Sequence, residues 1–157
     1  MSRDAFWLER TAELSRKGMA RGEGGPFGAL IVRGSEVLAE GWNRVLATHD
    51  PTAHAEINVI RAAAARLGSF HLPDCTLYTS CEPCPMCLAA IYWARIPRVV
   101  YANTRQQADA IGFSDLAIYQ EIALDPGARS IAFKHLPSAA AEAAFQQWSE
   151  KEDKHPY

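Results

Sequence analysis

Residues 75–102 read CTLYTSCEPCPMCLAAIYWARIPRVVYA, and the punctuation of this stretch decides what kind of fold the chain can form. Residues 75–79 have the β-branched and aromatic content of a strand. Pro85 suits the first turn of a helix, where its missing N–H has no partner to lose, and that helix is expected over 86–95. Ile96-Pro97 stops it, and residues 99–102 are apolar enough for a second strand. The order is strand, helix, strand.

Working upstream, residues 54–67 are rich in Ala, Ile and Arg and are closed by Gly68, which predicts a helix after the loop containing Asp50-Pro51-Thr52. Before that loop, the apolar runs 27–33 and 37–42 flank Gly34-Ser35-Glu36, the pattern of an antiparallel hairpin. A first helix is expected with Asp4 as its cap, with Phe6, Trp7, Leu14 and Met19 recurring at roughly helical spacing, and with Gly18, Gly22, Gly24 and Gly25 at its end. Downstream, residues 108–119 predict one or two short helices and residues 131–136 a late strand. Ser138 is placed to cap a last helix running from 139 to about 151. No repeat, low-complexity tract or linker divides the chain. A hairpin followed by alternating helices and strands predicts an α/β fold in one domain, 1–157: a three-layer α/β/α sandwich around a mixed, five-stranded sheet.

Composition fits that reading and narrows the function. The 157 residues are 48% hydrophobic and 22% charged, an ordinary globular balance. Sixteen Lys and Arg against eighteen Asp and Glu leave a net charge of −2, so no overall positive field favours nucleic acid as a partner. Arg3, Asp4, Glu9 and Arg10 interrupt the start, where a signal peptide would need an apolar core, and no stretch is apolar for long enough to span a membrane. A cytoplasmic protein is expected. Three of the four cysteines fall between Cys81 and Cys87, which in a reducing compartment favours metal binding or catalysis over disulfides.

His54-Ala55-Glu56 and Pro83-Cys84-Pro85-Met86-Cys87 each open a predicted helix. Cysteines three apart on a first turn share a face, and a helix N-terminus favours the thiolate that a metal requires. His54, Cys84 and Cys87 then fill three tetrahedral positions of one Zn2+ per subunit and leave the fourth to water, while Glu56 is placed to shuttle protons to and from that water. This combination is the His-x-Glu and Pro-Cys-x-x-Cys signature of the zinc-dependent deaminases. Two other readings stay open on spacing alone. Cys81 could close a structural Cys81, Cys84, Cys87 and His54 site, which leaves Glu56 without a role, or Cys81 and Cys84 could form a redox dithiol. Cys75 and Cys81 are otherwise small buried hydrophobes.

Beyond the metal signature, the chain resembles the bacterial guanine deaminases of the cytidine-deaminase-like superfamily. The resembling segments are Gly24 to Ala29, Asp50 to Glu56, Tyr78 to Cys87 continuing through Ile91 to Arg95, Gly112 to Asp115, and the terminal Tyr157. The resemblance implies hydrolytic deamination of guanine to xanthine and ammonia, with Asn43 holding the ring, Phe27 packing on it, and Asp115 serving both substrate binding and proton transfer. A carboxylate at Asp115 suits guanine, whose Watson–Crick edge presents N–H donors. Backbone N–H groups of Ala55 and Cys84 are expected to face the purine carbonyl. The resemblance further implies a homodimer in which the C-terminal segment, about 138–157, closes a neighbouring subunit's pocket and lays Tyr157 over the base. Ser114 departs from the family pattern, where a second acid is usual, as does His155-Pro156 in the tail.

Each of these residues also has a plainer use: a turn for Asn43, the core for Phe27, a helix cap for Asp115 and a frayed end for Tyr157. The competing activities are a tRNA adenosine deaminase, for which the mixed charges of Glu142, Glu150, Lys151, Glu152, Asp153 and Lys154 offer little purchase on phosphate, and a guanosine or cytidine deaminase. A catalytically silent zinc module would require Glu56 or the open ligand position to be missing.

Overall fold

A computed structural model describes residues 1–157. The hairpin predicted around Gly34 is present as β1 (Gly28–Arg33) and β2 (Glu36–Trp42), antiparallel, with a register shift between Ile31 and Val32. β1 also pairs antiparallel with β3 (Cys75–Cys81), which in turn pairs parallel with β4 (Arg98–Asn103). The sheet order β2-β1-β3-β4 is mixed, as expected.

Alternation along the central strands sorts the helices onto two faces. Ala29, Ile31 and Leu77 point into one core with Val59 and Ala63 of α3 (Ala55–Leu67) and Ile91 of α4 (Pro85–Trp93). Leu30, Val32 and Tyr78 point the other way, onto Leu14, Trp7 and Leu8 of α1 (Arg3–Ala20). The result is three layers, α/β/α. Gly68 stops α3 by taking φ +60, a left-handed turn that its missing Cβ permits.

Two sequence expectations are corrected. The cap of α1 is Ser2, not Asp4: Ser2 is extended and its hydroxyl accepts from the Ala5 N–H at 3.2 Å. Asp4 sits in the first turn, where it accepts from the Tyr78 hydroxyl and from Arg98, tying α1 to β3 and β4. The sheet has four strands, not five, because residues 131–136 form no ladder. Ile131, Phe133 and Leu136 have the residue types and spacing of a strand, but a strand exists only where a neighbour pairs its backbone groups.

The remaining helices are α2 (Val45–Thr48), α5 (Arg105–Ala110), α6 (Leu116–Ile122) and α7 (Ala139–Glu150). α5 and α6 are the short helices expected within 108–119, displaced by a few residues. Ser138 caps α7 through the Ala141 N–H, as the sequence predicts. The chain divides into two compact units, Met1–Leu116 and Ala117–Tyr157. The first contains the sheet and both cores. In the second no residue is buried.

Candidate metal centre and base pocket

α3 and α4 both begin next to residues that the sequence marks for chemistry. His54 is the extended N-cap of α3 and Cys84 the extended N-cap of α4, and neither spends its side chain on capping. Both are left to face Cys87, which lies on the first turn of α4 and is fully buried. His54 Nδ1 lies 3.5 Å from Cys84 Sγ and 3.6 Å from Cys87 Sγ. A tetrahedral zinc with ordinary Zn–N and Zn–S bonds separates such atoms by about 3.5 Å, so the three donors already have the spacing of a shared ion. All three donor atoms fall within 4.8 Å of one another.

Electrostatics favour a cation at this corner. The hydrogen bond from the Cys87 thiol, helped by the His54 imidazole, pulls Cys84 down to about 4, while burial of Cys84 opposes the shift. Cys87 moves up because it donates that bond and lies deep, and His54 moves up chiefly through its bond to Cys84. One thiolate thus forms readily, and a second becomes favourable when a dication replaces the shared proton. Cys81 stands outside the group: it is buried, its sulfur points to the Thr104 carbonyl at 3.8 Å, and desolvation pushes it up to about 11. The four-ligand structural site is therefore not assembled, and Cys75 and Cys81 are buried thiols.

Glu56 lies one residue into α3 and is 6% exposed. Its Oε1 accepts from the Thr79 hydroxyl at 3.1 Å, and its Oε2 lies 3.6 Å from the Cys87 thiol. Burial raises its pKa above the ordinary carboxylate range, the direction that suits a group meant to gain and lose a proton. Ala55 occupies the first turn of α3, whose leading N–H groups have no partner inside the helix, and Cys84 sits at the equivalent end of α4.

The segment carrying Asn43 is stitched to the histidine. Arg44 N–H donates to the Ala53 carbonyl at 2.9 Å, and the Asn58 amide donates to the carbonyls of both Trp42 and Ala53. Asn43 is buried. Its N–H donates to the Phe27 carbonyl at 2.9 Å and its Oδ1 accepts from the Val45 N–H at 3.1 Å, so it does serve the turn. Gly24 presses on it: a Cβ there would come within 2.1 Å of Asn43 Oδ1 and 2.4 Å of its carbonyl. Phe27 packs against the α3 side of the core and meets Phe113 edge to face at 4.9 Å between ring centroids.

Asp115 directly precedes α6 and is partly buried. Burial raises its pKa, the Cys84 charge raises it further, and Arg105 opposes them, so Asp115 lies within electrostatic reach of the metal corner. The structure thus gathers His54, Glu56, Cys84 and Cys87 closely, with Asp115 coupled to them and Asn43 and Phe27 on bonded neighbouring segments. Tyr157 belongs to the second unit and is 74% exposed. Two contacts had no sequence signature. One is the Thr79 bond to Glu56. The other is Glu23, whose carboxylate accepts from Trp42 Nε1 at 2.7 Å and Arg44 Nε at 3.2 Å while its carbonyl takes the Leu46 and Ala47 N–H groups, holding the turn beside Asn43.

Comparison with known proteins agrees with this geometry. Residues 1–103 match the family described as the cytidine and deoxycytidylate deaminase zinc-binding region. The chain is 46% identical to the guanine deaminase of Bacillus subtilis over 157 residues, covering all of both chains. The X-ray structure of guanine deaminase from that organism superposes with a TM-score of 0.95 at 45% identity, covering 100% of this chain and 99% of the other. A tRNA-specific adenosine deaminase of Haemophilus influenzae is 42% identical over 110 residues, 69% of this chain and 63% of that protein.

Proposed function

Because the chain belongs to the cytidine and deoxycytidylate deaminase zinc-binding family, we propose that it hydrolyses guanine to xanthine and ammonia. The observation that carries the substrate is the extent of the likeness. The guanine deaminase of B. subtilis matches over the full length, whereas the tRNA-specific deaminase matches 69% of the chain.

His54, Cys84 and Cys87 would hold zinc, which would supply an acidified water as nucleophile near neutral pH. Glu56 takes a proton from the attacking water and passes protons to a ring nitrogen and to the departing amine, so that one water enters and one ammonia leaves. Its burial, which raises its pKa, and its place beside the three donors support this role. Asp115 accepts from the N–H groups on the Watson–Crick edge and assists proton transfer. The Asn43 amide holds the ring in plane, Phe27 packs on its face, and the N–H groups of Ala55 and Cys84 face its carbonyl.

The working form in this reading is a homodimer in which residues 138–157 close the partner's pocket, with Tyr157 over the base. What supports it is the second unit's own surface: Ile118, Ile131, Leu136 and Phe145 are all at least half exposed there, more apolar surface than a lone unit of that size holds comfortably. A reducing compartment such as the cytoplasm keeps Cys84 and Cys87 available as ligands. No helix is long and apolar enough to cross a membrane.

Ammonia release from guanine, guanosine, adenine, cytosine, cytidine and a tRNA anticodon stem tests the assignment directly, with guanine expected to react fastest. Reaction of a nucleoside or the RNA alone would overturn it. Glu56→Gln is expected to keep zinc and lose at least ~10²-fold in turnover, the low end of acid–base contributions.

A further inference from the structure

Thr79 lies on β3 opposite Ala29 of β1, on the sheet face that α3 covers, and is 1% exposed. Valine would fill that space as well and has the stronger preference for a buried strand. A hydroxyl there costs free energy unless an acceptor meets it. The acceptor is Oε1 of Glu56, at 3.1 Å. The polar atom is thus placed in the core where its one side-chain partner is the carboxylate proposed to carry protons.

We infer that Thr79 is a positioning residue for the deamination, its hydroxyl holding Oε1 of Glu56 so that Oε2 is the oxygen that gains and loses the proton. The inference rests on the proposed role of Glu56. An oxygen held in this way accepts in both states, more strongly as part of the carboxylate and still as the carbonyl oxygen of an acid protonated on Oε2. The Thr79 bond therefore survives the whole proton cycle and the side chain need not reorient. Protonation on Oε1 instead would turn an acceptor into a donor and force the hydroxyl to rotate. Cys87, the other side chain near the carboxyl, lies against Oε2 at 3.6 Å and does not reach the oxygen that Thr79 holds. That leaves Thr79 as the side-chain donor to Oε1.

The test measures kcat and KM for guanine, zinc content and melting temperature in Thr79→Val, Thr79→Ala, Thr79→Ser, Glu56→Gln and the Thr79→Val/Glu56→Gln double variant. Val and Ala are expected to lose roughly 10- to 100-fold in kcat, the effect of one hydrogen bond to a charged group. KM and zinc content should stay unchanged, Ser should restore most of the rate, and the double variant should be no slower than Glu56→Gln alone. A structural role would instead lower melting temperature or zinc content and slow the double variant further. Full kcat in Val and Ala beside an inactive Glu56→Gln overturns the inference and leaves the Glu56 reading intact. Full turnover in Glu56→Gln removes that reading itself. Should Val fail to fold, Ser and Ala decide, since they differ only in the hydroxyl, and equal rates would overturn the inference.

Discussion

The metal corner and the C-terminal unit use their side chains in opposite ways. At the corner, Cys87 and Glu56 are buried, and Glu56 and the three donors find one another within residues 54–87. In residues 117–157, Phe145 is 82% exposed and no side chain is buried. The difference teaches that the candidate chemistry is encoded locally, at two helix starts, whereas the second unit leaves its apolar side chains exposed. A swapped partner is the proposed cover.

The comparison can be broken most severely at the corner. Cys87→Ala is expected to lose zinc and to slow turnover by at least ~10³-fold, the several kcal/mol that a bound metal supplies. Metal analysis with an ammonia assay checks it, and normal zinc with normal turnover would dissolve the contrast. A chain lacking residues 138–157 is expected to keep zinc and lose guanine turnover. Mixed and reassociated with Cys87→Ala, it should recover part of that turnover, because each mixed dimer then joins one intact metal site to one intact tail. No recovery in demonstrably mixed dimers would mean that the tail does not serve the partner.

Asn43→Ala probes the buried turn bonded to the segment that carries His54. It is expected to raise KM roughly 5- to 30-fold, the value of one or two hydrogen bonds, with zinc retained. An unchanged KM would assign Asn43 to its turn alone. The smallest effect concerns the Asp4–Arg98 pair, far from the chemistry. Arg98 first, then Tyr78, holds the Asp4 carboxyl below its ordinary value of 3.8. Its folded pKa is depressed, so its contribution to stability is present above pH 3.8 and lost as pH falls through the lower folded value. Arg98→Ala should melt slightly below the parent at neutral pH, and the gap should close on acidification. A constant gap would deny the linkage.

What could be read along the chain depended on how local the cause was. His54-x-Glu56 and Cys84-x-x-Cys87 were legible because a helix start orients neighbours within one turn, whatever the rest of the molecule does. The cap of α1 was not, since Ser2 and Asp4 both have capping side chains and only the path of the chain chooses between them. Residues 131–136 misled for the same reason: residue types describe fitness for a strand, but a ladder needs a partner. Glu23 meets Trp42 and Arg44 about twenty residues away, and no pattern in the chain announces that.

The sequence by itself determined the candidate donor set, the acidic residue beside it, the helices that bear them and the hairpin that opens the sheet, because each follows from spacing within a turn or a strand. Tertiary structure alone decided that His54 and the two thiols share one ion's space, that Cys81 stands apart, and that Thr79 meets Glu56. Those outcomes depend on strand register and on how α3 and α4 pack over the sheet. Such distances are set by the summed packing of residues far apart in the chain, and no short stretch contains them.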